Sequence, residues 1–163
     1  MRVIESPLTF KYESSDIPIF LAGGITGCPD WQGELIKMLS DQDDSVILVN
    51  PRRADFPMGD PDAGRIQIKW EFDMFHICPV FSMWFCSETI QPICLYELGR
   101  YVARWELGEK PRWITIGVDP DYERKFDVEI QSELIYEDLS GNIATTLESH
   151  ADNIRELVAS IRG

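Results

Sequence analysis

The stretch VILVNPRR, Val46 to Arg53, decides the fold. Its first four residues are all apolar, with no alternation of polar and apolar positions, so both faces of this short strand must be covered. The chain then passes directly into Asn50, Pro51, Arg52 and Arg53, a polar and positively charged corner. Other segments share this build. PIFLAGG (18–24) is an apolar run closed by two glycines, VFSMWFC (80–86) leads into SET, and RWITIGV (112–118) leads into DPDY.

Helical patterns fill the gaps. CPDWQGELIKMLS (28–40) places Trp31, Leu35, Met38 and Leu39 at helical spacing, with Asp30 as its cap. RIQIKWEFDMFHI (65–77) puts Gln67, Trp70, Met74 and Ile77 on one stripe. A further helix starts near Pro92, a favoured first-turn residue, with a core stripe of Leu95, Leu98, Val102 and Trp105. DYERKFDVEIQSEL (121–134) reads as a helix, LIYED (134–138) as a short strand or turn, and 141–163 as a closing helical region. Residues 50–64 carry too many prolines and glycines for a regular element. Residues 1–17 read as an irregular or hairpin-like lead-in. The alternation predicts one α/β domain over 1–163: an open, mainly parallel five-stranded sheet with helices on both faces.

Charge narrows the function. The chain has 163 residues and a formal net charge of −13. That argues against a nucleic-acid polymer, which needs a basic footprint, but not against a single nucleoside or nucleotide. No apolar run is long enough to span a bilayer and the N-terminus lacks a signal pattern, so a cytoplasmic protein without a membrane partner is expected. Cys28, Cys78, Cys86 and Cys94 show no CxxC spacing, and the chain has two histidines. Three of the cysteines sit in apolar segments, so buried thiols are expected rather than disulfides, with no metal site. No GxGxxG, Walker or GxSxG motif is present, and no cofactor is expected.

In open parallel sheets ligands bind beyond the carboxyl ends of the strands. AGG, NPRR, CSET and GVDPDY should therefore crowd one rim. Glu97, in the second turn of the helix that starts at this rim, can face a pocket there. On spacing alone it reads equally as a helix-face glutamate beside Arg100 and Arg104. Glu71 and Asp73 flank Phe72 in an aromatic setting that would raise a carboxyl pKa, although both also suit a solvated helix face. Two carboxylates at one pocket suit substitution at an anomeric carbon: one attacks, the other donates and then accepts a proton. Ala22, Gly23 and Gly24 form a turn close to such a pocket. Asn50 and Arg52 stand at its corner, where Arg52 and Arg53 could meet a phosphate or a base edge. Trp31, Trp84 or Phe20 could stack on a base, though tryptophans in such places are commonly core.

Together FLAGGITG, DWQ, NPRR, QIKWE, SETIQPICLYELG and GVDPDY resemble the nucleoside 2-deoxyribosyltransferase-like proteins, a flavodoxin-like group within the deoxyribosyltransferase and nucleotide N-hydrolase superfamily. The resemblance spans roughly residues 17 to 131. It implies a retaining double displacement at C1′ of a 2-deoxyribonucleoside, transferring the sugar between nucleobases. The E-L-G glutamate, Glu97 here, would be the nucleophile. The acid/base carboxylate would lie within Glu71–Asp73, Glu71 first. The glycine turn would help form the sugar pocket, joined by Phe20, Thr89 and Gln91. A homodimer or larger homo-oligomer is also implied. Similar transferases carry tyrosine where Phe20 stands and aspartate where Gln91 stands; related nucleoside-monophosphate hydrolases place a phosphate-binding serine at the latter position. The alternatives are thus an N-glycosidase acting on a nucleoside or its 5′-monophosphate, or a catalytically silent nucleotide-binding module. An interaction protein ranks last.

Overall fold

The computed structural model describes residues 1–108, 113–135 and 142–163. Arg2–Glu5 (β1), Ile17–Gly23 (β2), Val46–Asn50 (β3), Val80–Phe85 (β4) and Trp113–Val118 (β5) form one sheet in the order β1-β3-β2-β4-β5. Every pairing is parallel. The helices are Trp31–Met38 (α1), Ala63–Ile77 (α2), Pro92–Glu106 (α3), Lys125–Ile135 (α4) and Leu147–Arg162 (α5). This is an open α/β, flavodoxin-like arrangement. No described helix is long and apolar enough to cross a membrane.

The apolar strands are buried on both sides, as their composition requires. Phe20, Ala22, Val49, Phe81 and Met83 pack with α2 and α3 through Trp70, Phe75, Leu98 and Tyr101. Ile19, Leu21, Leu48 and Trp84 face the opposite way onto Trp31 and Leu35 of α1 and Ile154 and Val158 of α5. Phe81 stacks on Tyr101 with ring centroids 4.5 Å apart. Fully burying one such side chain stabilises the fold by roughly 1.5–3 kcal/mol. Asp30 caps α1 by accepting a hydrogen bond from the Gly33 amide at 3.0 Å.

One expectation needs correction. The first 17 residues are not wholly irregular, because Arg2–Glu5 adds the edge strand beside β3. Its polar ends conceal it in the sequence; an ion pair from Arg2 to Asp16 at 2.6 Å helps hold it. LIYED supplies no described strand: Leu134 and Ile135 close α4, and 136–138 lie outside the described residues. The side chain of Trp105, fourth on the expected α3 stripe, is also outside them.

From β2 the chain crosses to β3 on one side, and β4 then pairs on the other. The carboxyl end of β2 is thus the point where strand order reverses, the place where such sheets open a crevice.

Candidate active site

A cavity of about 350 Å³ occupies that crevice. Its wall begins at the end of β2, where Phe20, Ala22, Gly23 and Gly24 line it. Gly23 has φ 149°, and a Cβ there would collide with the Trp84 carbonyl and the Trp31 ring. A side chain is therefore excluded on both conformational and steric grounds. Trp31 supports the turn from behind, donating from Nε1 to the Gly24 carbonyl at 2.8 Å. It is buried in the core and does not reach the cavity lining.

Glu71 from α2 and Glu97 from α3 both line the cavity. Pro92 starts α3 at the rim, so the second turn carries Glu97 inward. Burial pushes the Glu97 carboxyl up to about 7; the nearby Glu71 charge adds to this, and Arg100 opposes it. Among the described residues no hydrogen bond holds the Glu97 carboxyl group. Burial also raises Glu71, against a hydrogen bond from Gln67. Gln67 Nε2 donates to Glu71 Oε1 and to the Pro51 carbonyl, both at 2.8 Å, while Gln67 Oε1 accepts from Ser6 Oγ at 2.7 Å. One carboxylate is tethered and the other is open to a bound molecule.

Asp73 is not brought to this place. Two residues along a helix from Glu71, it points elsewhere and pairs with Lys69 Nζ at 2.6 Å. The NPRR corner also differs from expectation. Asn50 is buried and its Oδ1 accepts from the Arg52 amide at 3.0 Å, turning the chain. Pro51 lines the cavity. Arg52 does not line it; the guanidinium grips the loop that precedes α1. Its Nε donates to Gln32 Oε1 at 2.9 Å, and Nη2 reaches the carbonyls of Ile25, Cys28 and Pro29 at 3.3, 3.3 and 2.6 Å. Arg53 sits over the Phe56 ring. The positive corner is thus a structural clamp, and no side chain among the described lining residues is cationic.

Thr89 and Gln91 complete the wall. Gln91 is buried, adopts φ 50°, and donates from Nε2 to the carbonyls of Cys86 at 2.5 Å and Thr89 at 3.1 Å. Its Oε1 is buried without a hydrogen-bond partner and lies where a Cβ on Gly24 would point. A non-glycine residue at positive φ with an unmet buried acceptor thus stands on the cavity wall. Sequence reasoning passed over Thr26, Ile90, Ile93 and Cys94, which also line the cavity. The Cys94 thiol is pushed up to about 12 by burial and by the nearby Glu97 charge, so it is held neutral. Gln67 was read only as part of a packing stripe; its i,i+4 spacing to Glu71 was the available signal.

Chemically the cavity offers two neighbouring carboxyl groups, both raised by burial, together with apolar walls, hydroxyls and one buried acceptor. A family model described as nucleoside 2-deoxyribosyltransferase like matches residues 16–107, more than half of the chain. The match includes Glu71, Glu97 and every described residue named on the cavity wall. No match was found among curated proteins.

Proposed function

The chain belongs to the nucleoside 2-deoxyribosyltransferase-like family, and on that premise we propose that it transfers 2-deoxyribose between nucleobases by a retaining double displacement. The observation that carries this reading is the meeting of Glu71 and Glu97 at one cavity beside the glycine turn. Glu97 attacks C1′ from the open side of the pocket, and the bond to the base breaks. The glycosyl ester forms as a proton moves from Glu71 to the departing base. Glu71 then takes a proton from the incoming base, which attacks C1′ and frees Glu97. A carboxylate facing C1′ also stabilises the positive charge that develops there.

The coupling between the two acids supports the division of roles. Burial raises both carboxyl groups and the Glu71 charge raises Glu97 further, so the two acids resist ionising together. Developing positive charge at C1′ draws ionisation to Glu97 and leaves the proton on Glu71. Gln91 Oε1 accepts from a sugar hydroxyl in this account, which would satisfy its missing bond. Thr89 stands beside it, and Phe20 gives an apolar floor. Among the described residues no lining side chain is cationic, which favours an uncharged nucleoside over a nucleoside 5′-monophosphate. Assembly as a homodimer or larger homo-oligomer belongs to the same reading; Ile93 and Tyr96, apolar and exposed on α3 near the cavity, support it.

The test is product analysis with a panel of deoxynucleosides and deoxynucleotides, with and without a second free base. Transfer predicts a new nucleoside only when an acceptor base is present. Free base released without an acceptor, at a rate that an acceptor leaves unchanged, would replace transfer by hydrolysis. Tight binding with no product would replace both by a silent binding module.

A further inference from the structure

Cys28, Cys86 and Glu88 converge beside the cavity wall. Cys28 lies in the loop between β2 and α1, Cys86 directly follows β4, and Glu88 stands two residues on. Their two Sγ atoms and a carboxylate oxygen all lie within 4.8 Å of one another, and among the described residues no other group of three such ligands does so. We propose that these three side chains bind a divalent transition metal of the zinc class, which fastens the glycine loop to the end of β4.

The geometry suits that ion. With metal–sulfur bonds of about 2.3 Å and metal–oxygen bonds of about 2.1 Å, a tetrahedral centre sets its ligands about 3.6–3.8 Å apart. The observed cluster needs only a small inward movement of side chains to reach this. Two thiolates and a carboxylate favour zinc over calcium or magnesium, which take oxygen ligands. Three protein ligands leave a fourth position for water.

The surroundings are prepared for the same purpose. Arg52 holds the Cys28 loop by its backbone carbonyls. Gly24 has no side chain where the Cys28 sulfur lies; a Cβ there would collide with it. Thr89 Oγ1 is 3.4 Å from Cys28 Sγ, placed to donate to a thiolate from outside the ligand set. Cys86 is buried, Cys28 half-buried and Glu88 exposed, so the cluster is reached from the Glu88 side. A second cavity of about 370 Å³, lined by Pro29, Cys86, Glu88 and Asp119 among others, opens there.

Binding converts two thiols to thiolates and releases two protons to solvent, so affinity falls as pH falls. Two thiolates and one carboxylate around a doubly charged ion leave a net charge of −1 at the centre. Thr26 and Thr89 line the candidate active site, so the clip stiffens one wall of it. The metal site stands whether or not that pocket transfers a sugar.

The reduced full-length chain, titrated anaerobically with cobalt(II), provides the test, with zinc(II) added afterwards in competition. One cobalt per chain, with sulfur-to-metal charge-transfer absorption that zinc abolishes, is expected. Cys28→Ser and Cys86→Ser should each lose that band, and Glu88→Gln should weaken binding. Thr89→Val should weaken it roughly 10- to 100-fold. Cys78→Ala, at a buried thiol outside the cluster, should keep it. If Cys86→Ser does not fold, the half-buried Cys28 and exposed Glu88 variants still decide. Absence of the band at stoichiometric cobalt, or its persistence in Cys28→Ser, overturns the proposal. So does a Cys28–Cys86 disulfide formed with glutathione disulfide in a chain whose reduced form takes no cobalt, which would make the pair redox-active instead.

Discussion

Replacing Glu97 by Gln should abolish turnover and, at alkaline pH, make the protein more stable. The carboxyl is raised from 4.5 to about 7, with burial as the first cause. The folded state therefore holds the Glu97 proton more tightly than the unfolded chain does. Its contribution to stability is fully present below the unfolded value and is lost as pH rises through about 7. At about 1.4 kcal/mol per pH unit, the rise from 4.5 to about 7 corresponds to about 3.5 kcal/mol at full weight. The group borders a cavity open to water, so about 1–2 kcal/mol is the expected loss after allowing for solvent screening. Gln is nearly isosteric and cannot ionise, so Glu97→Gln should escape this loss. Urea unfolding of both proteins from pH 5 to pH 8 reads it directly. The stability difference should grow in the variant's favour across that range and level off above pH 7 to 8. A difference that does not change with pH would refute the argument that Glu97 is held in a desolvating, acid-facing pocket.

The kcat/KM profile should be bell-shaped: it falls above about pH 7 as the pair loses its last proton, and falls at low pH as Glu71, itself raised, becomes protonated together with Glu97. Gln67→Leu removes the hydrogen bond that favours ionised Glu71, so the acid limb should move to higher pH, as a pH–rate series would show. Arg52→Met should cost about 1–3 kcal/mol in thermal or urea unfolding, because it frees carbonyls held by a charged donor; an unchanged stability would remove Arg52 from the clamp role. Adding a 5′-phosphate to the substrate should lower kcat/KM, since no described lining side chain offers a cation. A gain from the phosphate would contradict that reading.

The layered sheet was legible because its strands carry apolar residues at consecutive positions, which only a two-sided covering explains. The edge strand at Arg2–Glu5 escaped notice because a short edge strand needs only its inward side chains to be apolar, and its two ends are charged. Glu97 was legible through the helix that Pro92 starts at the rim. Spacing already favours a solvated face for Asp73 and leaves Glu71 even between the two readings; tertiary packing turns Glu71 inward and pairs Asp73 with Lys69. Arg52 shows what composition conceals. A sequence displays its charge but not the three backbone carbonyls of a distant loop that claim it. The thiols of Cys28 and Cys86 follow the same logic, since no spacing motif joins residues that only the sheet brings together.

The most direct measurement is mass spectrometry of the chain quenched during turnover of a deoxynucleoside, followed by peptide mapping. The account predicts a mass increase of one deoxyribosyl group on the peptide bearing Glu97, absent in Glu97→Ala. Base exchange that continues in Glu97→Ala, or a sugar adduct mapped to another residue, would contradict it.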